Sequence, residues 1–309
     1  MAIAVNTLDC EAGQVYVKVT KKCTSWASDE SYKILSGSQV LVTSSSFANY
    51  EQRSDEYCLT ASTNNQYTFN MHDYYGTAGD SWSSGAWASV AGIYGNVVFK
   101  GFMVEKKHEN FALSLYYPIM KTQEWKTFAS TASIASDWNT VGFGDSNWTP
   151  ATMGSAPTMS GTQYFRKTFT GLTGMAAYET RLNYRYGVVA YVNGAEVFRD
   201  NMPAGEVTAS TLAPGGYGNY AYHAFIRPGS EVAPEQSVLA VELHFRYPVE
   251  AYAVEFDAYL ALLASSTPST ESTACFIYPY AVTLTATTGT GPAKIFDYDK
   301  TGYYSASSS

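Results

Sequence analysis

Along most of the chain apolar residues alternate with polar ones, and Gly, Asn, Asp, Ser or Pro breaks the alternation about every ten residues. A repeat of two is that of an extended strand, whose successive side chains point to opposite faces of a sheet. QVYVKVT at 14–20 is the clearest example, and its Val and Tyr content suits a half-buried pleated surface. Further strands are predicted for SYKILS (31–36), QVLVTS (39–44), EYCLTAS (56–62), QYTFNMHD (66–73), WASVAG (87–92), NVVFKGFMV (96–104) and NFALSLYY (110–117). This region carries no convincing amphipathic helix. Many short strands at such spacing predict an antiparallel sandwich or barrel.

The later half repeats the theme. In AYVNGAEVFRDNMP (190–203), Asn193-Gly194 occupies the place of a two-residue hairpin turn, which needs φ > 0 at both central positions and so favours these two residues. VLAVELHF (238–245) and EFDAYLALL (255–263) follow as strands. SSTPSTESTA (265–274) has the composition of a solvated linker. The remaining stretch, 275–309, holds one strong strand candidate, 281–287, and is too short to close a sandwich unaided. Either the polypeptide continues, or this tail is completed by pairing with another chain through β-strand addition.

Several of these motifs carry a resemblance. Asp137-Trp138, GFGDSNWTPA with Phe143, Asp145 and Trp148, Tyr164-Phe165-Arg166 before KTFTGL, the Asn193-Gly194 hairpin, VLAVELHF and EFDAYLALL occur in the order found in galactose-binding-like (discoidin-like) jelly-roll modules, over about Glu124 to Ala264. The resemblance implies a jelly roll, with Trp138 and Trp148 as packing residues. Upstream, Trp26, Glu30, Cys58, Tyr67, Phe69, Asp73, Gly76, Asp80, Gly85, Gly92, Gly95, Glu105 and Phe111 are similar to a β-rich extracellular repeat of algal, oomycete and bacterial secreted proteins. The loop DYYGTAGDSW departs from the repeat's D.YGDG form by three residues inserted between Gly76 and Asp80. The combined expectation is an all-β chain of tandem antiparallel β-sandwich (jelly-roll) domains, 1–120 and 121–264, then a linker, 265–274, and an incomplete β module, 275–309.

Composition narrows the partners. Hydrophobic residues make up 46% of the chain and charged ones only 15%, so the polar surface comes mainly from Ser, Thr, Asn and the 26 Tyr. A net charge of −8 with no Lys/Arg cluster argues against nucleic acid. No apolar run approaches the ~18 residues of a membrane-spanning helix. The N-terminus lacks the basic region and apolar core of a signal peptide, so the expectation is a mature or partial form of a secreted chain. One glycosylation sequon, Asn147-Trp148-Thr149, falls in a predicted loop.

Motifs for nucleotide binding, metallopeptidase or nucleophile-elbow chemistry are absent, and His72, His108, His223 and His244 show no ligand spacing. His244 is expected to be structural. Glu255 and Asp257, two apart on a strand, share a face but are expected to serve the fold. Asp73 and Asp80, with carbonyls of their glycine-bearing loop, are hard oxygen donors of the kind Ca²⁺ takes; the same residues also serve tight turns. For glycans, the open candidates are Tyr217, Tyr220 and Tyr222, in PGGYGNYAYHAF, as contacts to sugar or to a neighbouring protein. Of Cys10, Cys23, Cys58 and Cys275, Cys58 is expected to pair with Cys10 or Cys23, leaving one to meet Cys275 within the chain or from a neighbour. The function expected is a non-enzymatic structural or adhesive subunit of an extracellular or cell-surface assembly (filament, flagellar hair or matrix fibre), partnered by itself or related β-sandwich chains. The alternative is a carbohydrate-binding accessory segment of a larger secreted enzyme.

Overall fold

Alternating strands can bury one face only by stacking sheet on sheet, and the chain does so twice. The computed structural model describes residues 8–75, 82–103, 107–130, 132, 134–153, 161–216, 222–247, 256–264, 295–298 and 304–307; the strand expected at 281–287 and the partner candidate Cys275 lie outside them. The first sandwich uses β1 (Gln14–Lys22), β2 (Glu30–Ser36), β3 (Gln39–Thr43), β4 (Gln52–Thr60), β5 (Gln66–Asp73), β6 (Trp87–Ala91), β7 (Val97–Gly101) and β8 (His108–Ser114). They form two antiparallel sheets, β4-β1-β6-β7 and β3-β2-β5-β8. Val17 and Val19 of one sheet and Tyr32, Ile34, Phe69 and Met71 of the other fill the space between them.

The second sandwich follows from β9 (Tyr116–Ile119), β10 (Glu124–Ser130), β11 (Thr149–Thr152), β12 (Thr162–Phe169), β13 (Ala177–Asn183), β14 (Gly187–Val192), β15 (Ala195–Asp200), β16 (Tyr222–Pro228), β17 (Ser237–His244) and β18 (Asp257–Leu263). Its sheets run β11-β10-β12-β17-β14-β15 and β16-β13-β18-β9. The Asn193-Gly194 turn joins β14 to β15 as expected, with φ of 51° and 89°. The larger sheet is covered on its outer face too. There Trp138 and Trp148 pack on Tyr164 and Ala240, as the packing roles expected of both indoles require. Arg166 holds that cover in place: 1% exposed, it donates to the carbonyls of Trp138 and Thr140 and pairs with Asp145 at 3.0 Å.

NFALSLYY, expected as one strand, is two. Leu115 is buried in the first core and donates its N–H to Asn65 O at 2.9 Å, after which the chain passes directly into β9 of the other sandwich. Pro118 has no N–H for a ladder, which suits β9 to the sheet edge that it occupies. The two sandwiches therefore meet without a spacer. Ala177, Ala261 and Leu263 of the second pack into the core of the first. Tyr117 Oη donates to Asn96 Oδ1 at 2.7 Å, and the Tyr94 and Tyr259 rings lie 4.5 Å apart. Gly92 is required here, because a Cβ at that position would lie 1.6 Å from Tyr117 Oη.

Cys10 and Cys58 form a disulfide that ties the stretch before β1 to β4. Cys23, also a disulfide candidate, is instead a free thiol buried in the first core, where the inward-pointing register of β1 continues past Lys21. The chain divides into two compact units, Met1–Ala274 and Cys275–Ser309, and the described part of the second is the hairpin β19 (Ile295–Tyr298) and β20 (Tyr304–Ser307).

Two expectations follow. Burial, with Glu56 beside it, pushes the Tyr16 hydroxyl up to about 12, and burial raises Tyr32, Tyr178 and Tyr259 further. An unfolded tyrosine ionises near 10, so these groups favour the fold fully below pH 10 and the contribution is lost as pH climbs through the folded values. The tyrosinate absorbance of this buried set should then appear together with loss of circular dichroism, after that of exposed rings; ionisation of all the tyrosines with the dichroism intact would refute the linkage. Separately, Gly92→Ala should lower stability by about 1–3 kcal/mol, as overpacking does, and Tyr117→Phe in the same chain should recover part of it, measured by urea unfolding.

Candidate functional site

The inward positions of β1 run Val17, Val19, Lys21, and those of β2 run Glu30, Tyr32, Ile34, so the alternation that builds the core also aims one lysine and one glutamate into it. They meet: Lys21 Nζ donates to Glu30 Oε2, with both side chains 1% exposed. The ammonium also donates to Lys22 O at 3.0 Å and lies 3.9 Å from the Trp82 ring centroid. Glu30 Oε1 accepts from the Ser83 N–H at 3.1 Å. Burial pushes the Glu30 carboxyl up from its usual range, Lys21 opposes this, and Asp73 adds a smaller upward push.

Above this pair opens a cleft of about 460 Å³, lined by Trp26, Ser28, Asp29, Glu30, Asp73, Tyr75 and Ser83. A 3-10 turn, Ala27–Asp29, delivers Ser28 and Asp29, and the end of β5 delivers Asp73. Asp73 is buried, with Oδ1 accepting from the Tyr75 N–H at 3.0 Å. At the mouth the aromatic residues Trp26 and Tyr75 are 73% and 61% exposed. Trp26 holds a left-handed backbone, φ 58° and ψ 29°, which a bulky residue adopts at a cost of roughly 1–2 kcal/mol. The cleft lies at the Asp73 end of β5. The chain leaves for the second sandwich from beside Gln66, which is paired with Ser114 at the opposite end of that strand, roughly 23 Å away at ~3.3 Å per residue.

Of the predicted site residues, Asp73 lies in this cleft, while Asp80, Tyr217 and Tyr220 fall outside the described residues. Among the described residues no group of three or more His, Cys, Asp or Glu side chains is placed to hold a metal ion. Tyr222 is at the sandwich junction, where its hydroxyl donates to Asp257 Oδ2 at 2.7 Å and its ring lies 4.1 Å from Lys121 Nζ. Lys121 also lies over the Tyr94 and Tyr259 rings, and burial lowers its pKa, with Asp257 opposing. Asn147 is exposed beside buried Trp148. His244 is buried, its Nδ1 within 2.9 Å of Thr211 O, the structural placement expected.

Two pairings escaped the sequence reading. Lys21–Glu30 was signalled by charged residues at inward positions of alternating strands. His72 and His108 are far apart in sequence but opposite in register on β5 and β8, with rings 4.5 Å apart; nothing local announces that register. As chemistry, both Glu30 oxygens are engaged, which makes it an acidic floor rather than a proton carrier. Asp29, the Ser28 hydroxyl and the two exposed rings are the groups that face an incoming molecule, while the Ser83 hydroxyl donates to Ser25 O at 2.5 Å. Since Trp26 is exposed, Trp26→Gly should relieve its backbone and raise stability by about 1 kcal/mol; a fall in the urea midpoint would show that the indole is instead a packing element.

No protein-family model matches the chain, and no curated protein matches it in sequence. Partial likenesses to solved structures include several β-glucuronidases. A calcium-binding mutant of Bacteroides uniformis β-glucuronidase 2 has a TM-score of 0.32 and 15% identity, covering 46% of this chain and 17% of its own. The uncultured Clostridium sp. enzyme gives 0.33 and 12%, covering 48% and 29%, and that of Faecalibacterium prausnitzii gives 0.33 and 8%, covering 47% and 31%. The chain thus spans less than a third of each of these proteins, and at such TM-scores the likeness carries no argument.

Proposed function

We propose that this chain is a non-enzymatic adhesive subunit of an extracellular assembly, in which a pair of β-sandwiches joined without a spacer presents a recognition cleft. The observation that carries the reading is the position of the Trp26–Tyr75 cleft, at the strand ends farthest from the junction. Support also comes from the junction itself, where Gly92, Tyr117 and Leu263 leave no free linker to absorb displacement. The Cys10–Cys58 disulfide fits an oxidising setting. Exposed Asn147 is proposed as a glycosylation site, and Cys275 as a link between neighbouring subunits.

A second reading is favoured by the aromatic and acidic lining of the cleft in the first sandwich. On that reading the chain is a carbohydrate-binding segment of a larger secreted enzyme, and the same cleft meets the glycan. Electron microscopy of native material, beside sizing chromatography with and without reductant, separates the two. Filaments or large oligomers that dissociate on reduction, and in Cys275→Ser, are expected for the assembly subunit. A monomer in every condition that still binds a glycan array would overturn that reading in favour of the enzyme segment.

A further inference from the structure

The cleft carries more acid than base. Glu30 and Asp73 are buried in its floor and Asp29 lines its wall, against the single ammonium of Lys21. Two aromatic rings stand exposed at the mouth beside the exposed Ser28, and Ser83 lines the interior with its hydroxyl held by Ser25. One layer deeper the same chemistry is already occupied: the Lys21 ammonium sits between the Trp82 ring, 3.9 Å from its centroid, and the Glu30 carboxylate. Aromatic face plus carboxylate is how a protein holds an ammonium group, the ring supplying cation–π attraction and the carboxylate a charge-assisted hydrogen bond. Trp26, Tyr75 and Asp29 set out those components again, open to solvent. The cleft volume falls within the ~300–1,000 Å³ of small-ligand sites.

We propose that the cleft binds an amine-bearing saccharide, with the sugar ring against Trp26 or Tyr75, its ammonium directed at Asp29 and a hydroxyl at Ser28. The inference deepens the adhesive reading and rests on the cleft being its contact site. Neutral sugars gain the stacking and lose the charge term, and acidic sugars meet repulsion from Asp29 and Asp73. Free cationic peptides satisfy the carboxylates but offer no pyranose face to the rings.

The test is calorimetric titration of the full chain with a glucosamine tetramer, its fully N-acetylated counterpart, a neutral glucose tetramer, a galacturonate tetramer and tetralysine. The glucosamine tetramer should bind at least tenfold more tightly than each of the others, and more weakly as salt is raised. Asp29→Asn should erase most of that preference, while Tyr75→Ala, at an exposed position, should weaken binding with the urea midpoint unchanged. Equal or tighter binding of the N-acetylated or neutral tetramer overturns the amine assignment and leaves the adhesive reading standing. Preference for tetralysine overturns the saccharide assignment. Binding of none of the five overturns the saccharide assignment and leaves the adhesive reading to the microscopy and sizing test.

Discussion

An ammonium and a carboxylate, each 1% exposed, close the space between the two sheets of the first sandwich, and the cleft is built on top of them. Lys21 belongs to one sheet and Glu30 to the other. Withdrawing two charges from water costs about as much as their attraction returns, so the pair is better understood as a device for specificity than as a source of stability. A strand that slips by one residue turns every side chain to the opposite face. In β1 that slip would expose Val17 and Val19 and would also leave the buried Glu30 without its cation, so the wrong register is opposed by hydrophobic and electrostatic terms together.

The rest of the site inherits this constraint. Glu30 accepts from the backbone of Ser83, and Trp82 covers the ammonium, so the segment that enters β6 is anchored to the pair. The 3-10 turn that presents Trp26 and Asp29 ends at Glu30, where β2 begins. Trp26 keeps a left-handed backbone with its indole in solvent, an arrangement that local energetics oppose and that the surrounding register imposes. Arg166 plays the equivalent part in the second sandwich: a buried cation holds a loop through carbonyl oxygens and Asp145, and the loop in turn seals the outer face of the larger sheet.

The all-β architecture and most strands were legible, because period-two alternation and turn residues are local signals. QVYVKVT, QYTFNMHD and the Asn193-Gly194 hairpin fall where their patterns place them. The break at Leu115 was not legible, since NFALSLYY alternates through it and only the pairing partners differ. Of the site, Asp73 was recognised through its loop. Lys21 was not singled out, although its inward parity with Val17 and Val19 marks it as buried. Trp26 and Tyr75 gave no signal of convergence, because their meeting depends on β2 and β5 being neighbours in one sheet.

The path of the chain through the second sandwich has a mechanical corollary. The polypeptide enters at Tyr116 in β9 and leaves through Leu263 in β18, and these strands are antiparallel partners with Tyr116 opposite Leu262. Entry and exit are therefore side by side, and everything between them is a closed excursion. Tension transmitted along the backbone would not stretch that sandwich end to end. It would peel β9 from β18 one hydrogen bond at a time, beginning where Leu263 packs against the first core, so the waist between the sandwiches is where the molecule would yield under load.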